Sequence, residues 1–88
     1  MSGYKVLLQK QFSLQVKALR HKRNLTQEEM SERLHITSRA YSDLEGGCSC
    51  CSALALLFFL LMLKSDELED FLNRLRKQIQ LFEQKEVA

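Results

Sequence analysis

The stretch "LTQEEMSERLHITSRAYSDLEGG", residues Leu25–Gly47, decides the architecture of this chain. It holds two short amphipathic runs, joined by "LHIT" and closed by a pair of glycines. Thr26 followed by Glu29 forms a capping box, in which hydroxyl and carboxylate each satisfy a free backbone N–H at a helix start. Leu25 and Met30 stand at the positions of a hydrophobic staple around that cap. The pattern predicts a helix from Gln27 to about Leu34. Thr37 caps a second run, Ser38–Glu45, with Ile36 and Tyr41 as its staple. Gly46 and Gly47 offer an end without Cβ strain. Only His35, Ile36 and Thr37 lie between the runs, too few for a relaxed loop. Two helices so joined either fill a core as a hairpin or form a helix-turn-helix that holds one helix out to be read.

Upstream, Leu8, Phe12, Val16 and Leu19 recur at helical spacing and predict a helix over 5–23, with Asn24 as a left-handed stop. Downstream, a helix over about Ser52–Leu63 is apolar on every face. Ser65 is then expected to cap a fifth helix, whose first turn carries Asp66, Glu67 and Glu69 at the positive end of its dipole. Leu68, Leu72, Leu75, Ile79 and Phe82 alternate spacings of four and three, as in a coiled-coil seam.

Composition agrees with an all-α fold. Proline is absent, there are three glycines, and helix-favouring Leu, Glu, Lys, Gln and Arg dominate. Eighty-eight residues make one domain with a small core. We read 1–64 as the body holding the helix-turn-helix (about 26–46) and 65–88 as a long C-terminal helix of the same domain, used for packing or dimerisation. No charged segment followed by an apolar one opens the chain, so an export signal is not expected. The apolar run Ala53–Leu63 falls short of the ~20 residues that span a bilayer. A cytoplasmic protein with no membrane partner is the default expectation.

The net charge of +2 conceals a split. Residues 1–47 carry eight Lys or Arg against five acids, and residues 48–88 carry five against six. A basic front half suits a polyanion, although an ordinary solvated surface has the same charge pattern.

The segment "VKALRHKRNLTQEEMSERLHITSRAYSDLEGG", Val16–Gly47, resembles the Cro/C1-type helix-turn-helix family of lambda-repressor-like DNA-binding domains. The resemblance implies a compact five-helix fold, double-stranded DNA as partner and helix 38–45 as the recognition helix in the major groove. It further implies that Gln27 contacts the DNA backbone and braces the recognition helix. Tyr41 and Leu44 then face inward, leaving Thr37, Ser38, Arg39, Ser42 and Asp43 for DNA. Arg39 is the leading reader, because a guanidinium can bond guanine O6 and N7 together. Glu45 opposes the dipole of its own helix and calls for a nearby cation; the family pairs a matching glutamate with an arginine at the place of Arg20.

Two departures from that family stand out. His35 occupies the turn position usually held by glycine, so it must adopt a left-handed conformation or shift the turn. "GGCSCC" stands where relatives place a basic residue and a proline before the fourth helix.

Cys48, Cys50 and Cys51 are too few and too close to be convincing ligands for one zinc ion, and are read as packing residues with redox sensing as the alternative. No nucleophile–base pair, phosphate-binding glycine loop or metal set is present in the sequence, so neither an enzyme nor a bound cofactor is expected. In the fourth helix Leu56, Phe59, Leu60 and Leu63 match the usual core face, whereas Leu54, Leu57, Phe58 and Leu61 form an additional apolar face. That face predicts a homodimer. The leading expectation is a dimeric, sequence-specific transcriptional regulator, most simply a repressor. The alternative is a protein-interaction module, such as an antitoxin or anti-regulator, using the apolar C-terminal half.

Overall fold

A computed structural model describes the backbone of residues 2–49 and 51–87, and their side chains except at 2, 86 and 87. All regular structure in the described residues is helical: α1 (Ser2–Lys22), α2 (Gln27–Arg33), α3 (Ser38–Glu45), α4 (Ala53–Met62) and α5 (Ser65–Val87).

The helix starts follow the local chemistry. Glu29 N–H donates to Thr26 Oγ1 at 3.1 Å and Thr26 N–H to Glu29 Oε1 at 2.9 Å, completing the capping box of α2. Thr37 Oγ1 accepts from Ala40 N–H at 3.0 Å and Ser52 Oγ from Ala55 N–H at 3.1 Å, which cap α3 and α4.

The first three helices stop by one shared device. Asn24 (φ 56°), His35 (φ 59°) and Gly47 (φ 77°) each take the left-handed conformation just past a helix end. In each case the next residue's N–H reaches back five positions: Leu25 to Arg20, Ile36 to Ser31 and Cys48 to Asp43. These are Schellman motifs, which satisfy carbonyls that a helix end otherwise leaves bare. His35 therefore keeps the turn at its usual place, at the strain cost of a left-handed non-glycine residue.

The core draws buried side chains from all five helices. Val16, Met30, Leu34 and Tyr41 are fully enclosed. Phe59 stands edge-to-face between Phe12, at 5.0 Å, and Phe71, at 5.3 Å, so one aromatic ladder ties α1, α4 and α5 together. Truncating Phe59 to Ala would cost ~3–5 kcal/mol through lost transfer energy and the cavity left behind.

Helix α5 lies antiparallel along α1. Tyr4 near the start of α1 meets Phe82 near the end of α5, with ring centroids 4.9 Å apart, and Tyr4 Oη donates to Glu83 at 2.8 Å. At the other end Arg23 holds Glu67 through two nitrogens, at 2.9 and 2.5 Å.

Four local expectations change. Phe58, expected on the additional apolar face of α4, is half-buried against the core, its ring centroid 4.1 Å from that of His35. Helix α1 begins at Ser2 rather than near residue 5, because the contacts of its first turn with Phe82 and Glu83 give that turn a tertiary partner. Ser65 lies inside α5 and does not cap it: Leu68 N–H bonds the Lys64 carbonyl at 2.8 Å, and Glu67 accepts the Lys64 N–H at 2.9 Å. The face of α5 is rotated from the heptad seam. Phe71, outside that seam, is buried to 4 % exposure, whereas Leu72 is 38 % exposed. Packing on a straight neighbouring helix follows the 3.6-residue period, and the largest ring takes the deepest place.

Candidate nucleic-acid interface

Helix α3 is sharply two-sided. Tyr41 and Leu44 are buried, at 0 % and 2 % exposure, and they turn the opposite side outward. Ser38, Arg39, Ala40, Ser42 and Asp43 are all exposed there, beside the exposed Thr37. The sequence reading passed over Ala40, whose methyl shares that open surface.

The end of α3 is fixed by one carboxylate. Arg20 Nε and Nη2 donate to Glu45 Oε2 and Oε1 at 2.8 and 3.0 Å. Gln27 Nε2 donates to Oε1 at 3.0 Å, and the Tyr41 hydroxyl donates to Oε2. Arg20 uses its remaining nitrogen on the Leu25 carbonyl at 3.0 Å, in the turn before α2. Three helices therefore converge on Glu45.

The electrostatics follow from this geometry. Burial acts to raise the Glu45 pKa, but the bonds from Arg20, Tyr41 and Gln27 and the Arg20 charge outweigh it, leaving it at about 2. The Tyr41 hydroxyl is pushed well above its ordinary value, first by burial and then by its bond to a carboxylate that resists a second negative charge. Glu45 is thus an anion, and the dipole of α3 that it opposes is answered by Arg20.

Helix α1 grips the tail of α3 by two further bonds. Ser13 Oγ donates to the Glu45 carbonyl at 2.6 Å and Gln9 Nε2 to the Gly47 carbonyl at 2.8 Å. Ser13 is itself buried. These residues were not singled out from the sequence, although Gln9, Ser13, Val16 and Arg20 recur at spacings of four, three and four, a polar-edged stripe facing one neighbour. Tyr41 and Glu45 also stand four apart on one helix, where side chains meet.

A second latch joins α1 to α5. Glu67 accepts from Arg23 and lies 2.7 Å from Lys22 Nζ. The bonds from Arg23 and Lys22, and that from the Lys64 backbone, hold its carboxyl well below the usual carboxylate range. Arg23 stands 44 positions from Glu67 in sequence, with no local signal linking the two.

Cys48 is exposed and Cys51 half-buried against the core, both as free thiols; Cys50 lies outside the described residues. Among the described residues no group of His, Cys, Asp and Glu could hold a metal ion. No described helix is long and apolar enough to cross a membrane.

Residues 16–47 match the family model described as helix-turn-helix. This segment is a Cro/C1-type helix-turn-helix. The helix-turn-helix match begins on the second half of α1, takes in α2 and α3, and ends at the glycine pair, so α4 and α5 are read from their own chemistry. No curated protein and no solved structure matches the chain. The helix-turn-helix family is one of DNA-binding regulatory domains and not typically enzymatic, which points to a DNA-binding transcription regulator.

Proposed function

We propose that the chain is a sequence-specific transcriptional regulator that acts as a homodimer, inserts α3 into the major groove and represses by occupying its site. The two-sidedness of α3 carries this reading. Tyr41, Leu44 and Glu45 are committed to the protein, whereas the side chains of Ser38, Arg39, Ser42 and Asp43 are offered to solvent on a braced helix. A surface held this rigidly favours recognition, because the ordering entropy is met in folding rather than in binding.

Arg39 is the proposed base reader, bidentate to guanine, with Ser38 and Ser42 reaching base edges or phosphates. Asp43 accepts from cytosine N4 or repels misplaced phosphates. Gln27 has one amide N–H on Glu45 and a second left for a phosphate oxygen, and so ties the DNA backbone to the end of α3. The Thr37 oxygen accepts within the cap while its hydroxyl hydrogen remains available to a phosphate. The Arg20–Glu45 pair serves positioning, not contact.

The exposed face of α4 supports the homodimer. Leu54, Leu57 and Leu61, at 57, 57 and 78 % exposure, recur along one side of a helix that the rest of the chain leaves uncovered. An isologous contact covers the same patch on both copies and presents two recognition helices to half-sites ~34–36 Å apart. We take α5, packed along α1, as part of the same domain. The same α4 face also favours a second reading, in which it holds a different protein, as an antitoxin or anti-regulator would.

Selection of bound sites from random duplex DNA, repeated at several salt concentrations, tests the proposal. A two-fold symmetric consensus with salt-dependent affinity supports it. Recovery of random sequence at all salt concentrations contradicts it.

A further inference from the structure

The surface assigned to DNA is short of positive charge. Gln27, Thr37, Ser38, Arg39, Ser42 and Asp43 hold one cation and one anion, and residues 46–49, which follow α3, hold neither. Affinity for a duplex comes largely from cations that neutralise phosphates and release their counterions. Those cations must stand elsewhere on the same side of the molecule.

Eight Lys or Arg occupy residues 1–47. Arg20 is taken by Glu45, and Lys22 and Arg23 by Glu67. Arg33 shares α2 with Glu28, Glu29 and Glu32, and Arg39 is assigned to a base. Lys5, Lys10 and Lys17 remain, all on α1, a helix without Asp or Glu. None of the three enters an ion pair among the described residues. Lys5 stands seven residues before the buried Phe12, on the core side of α1.

Lys10 and Lys17 lie on another side. Gln9, Ser13 and Arg20 make the stripe of α1 that binds the end of α3. Phe12 and Val16 bury one flank of that stripe, whereas Lys10 and Lys17, both exposed and about two turns apart, occupy the other. That flank runs into α3: Lys10, Gly46 and Gly47 line one shallow groove, and the glycines put no side chain in the way of a ligand. The Glu45 and Gly47 carbonyls already accept from Ser13 and Gln9, so an anion does not meet a bare helix end.

We propose that Lys10 and Lys17 bind phosphates of the duplex beside the groove that α3 enters, making α1 a clamp on the DNA backbone. The clamp rests on the reading of α3 as the recognition helix.

Fluorescence anisotropy tests it, with one labelled duplex of the selected site and one of random sequence, each titrated with salt. Lys10→Gln and Lys17→Gln are each expected to lower the slope of log affinity against log salt by ~0.9 on both duplexes, and to weaken binding roughly five- to tenfold at about 0.1 M salt. Glutamine matches lysine in helix propensity, so helical content is expected to hold. Lys10→Arg, which keeps the charge, and Lys5→Gln, on the core side, are expected to keep the wild-type slope. If the wild type binds DNA but Lys10→Gln or Lys17→Gln retains its slope, the clamp is overturned and the reading of α3 stands. An equal fall in Lys5→Gln also overturns the clamp, because net charge alone would then explain the loss. Val6 and Leu14, exposed on the same flank, would suit a membrane, so phosphatidylglycerol vesicles are the control. Lysine-dependent binding to these vesicles in place of DNA overturns the clamp. A wild type that binds neither duplex at any salt concentration overturns both the clamp and the reading on which it rests.

Discussion

The Gln27 amide nitrogen lies 3.0 Å from Glu45 Oε1, on the carboxylate that Arg20 grips with two nitrogens and to which Tyr41 donates its hydroxyl. The first residue of α2 and the last of α3 thereby share one anchor with α1. The orientation of the outward face of α3 depends on an ion that never leaves the protein.

That dependence is measurable in a double-mutant cycle. The side chains of Arg20 and Glu45 are 14 and 6 % exposed, so removing either strands a buried partner, at ~3–5 kcal/mol. Arg20→Met and Glu45→Leu are each expected to destabilise, and the double variant to recover part of the loss. Strictly additive unfolding free energies would show no coupling.

The same carboxylate sets an acid limit. The folded pKa of Glu45, about 2, lies below its ordinary 4.5, so its contribution is complete above about pH 4.5 and is lost as the pH falls through about 2. The shift corresponds to about 3 kcal/mol. Denaturant melts between pH 5 and pH 2 should show stability declining with falling pH. Glu45→Gln should flatten that decline without abolishing it, because Glu67 is depressed in the same direction by Arg23 and Lys22. A variant with an unchanged slope would remove Glu45 from the account.

Gln27→Ala separates bracing from reading. It is expected to weaken binding to preferred and non-preferred duplexes alike, by ~0.5–1.5 kcal/mol for a single hydrogen bond. Loss of preference at one base position alone would make Gln27 a base reader.

Much of this arrangement is legible in the sequence because it is local. The Thr26–Glu29 box, the Thr37 cap and the three left-handed stops each depend on a few adjacent residues. What escaped notice depends on partners brought together by folding. Ser13 and Gln9 act on carbonyls more than thirty positions away, and Glu67 serves α1 rather than its own helix alone. Phe71 lies outside the heptad seam because an ordinary helix packing on α1 follows the 3.6-residue period. The inward and outward sides of α3 were readable because eight residues with two large apolar members leave little choice of face.

The α4 face yields a prediction of assembly. Leu57→Glu with Leu61→Glu is expected to give a folded monomer from a dimeric wild type, since both residues are more than half exposed in the single chain. Sedimentation at tens of micromolar, paired with circular dichroism, reads both properties. A monomeric wild type would contradict the homodimer, and unfolding of the variant would place those leucines in the monomer core.

The most direct measurement of the central claim is base preference in Arg39→Ala, compared with the wild type across all single substitutions of the selected site. Arg39 is exposed on a helix whose fixation rests on Glu45, Tyr41 and Leu44, so its truncation should leave the melt unchanged. The account predicts loss of ~1–3 kcal/mol of discrimination at one guanine in each half-site, with other positions preserved. Unaltered preference at every position, with the fold intact, would contradict it.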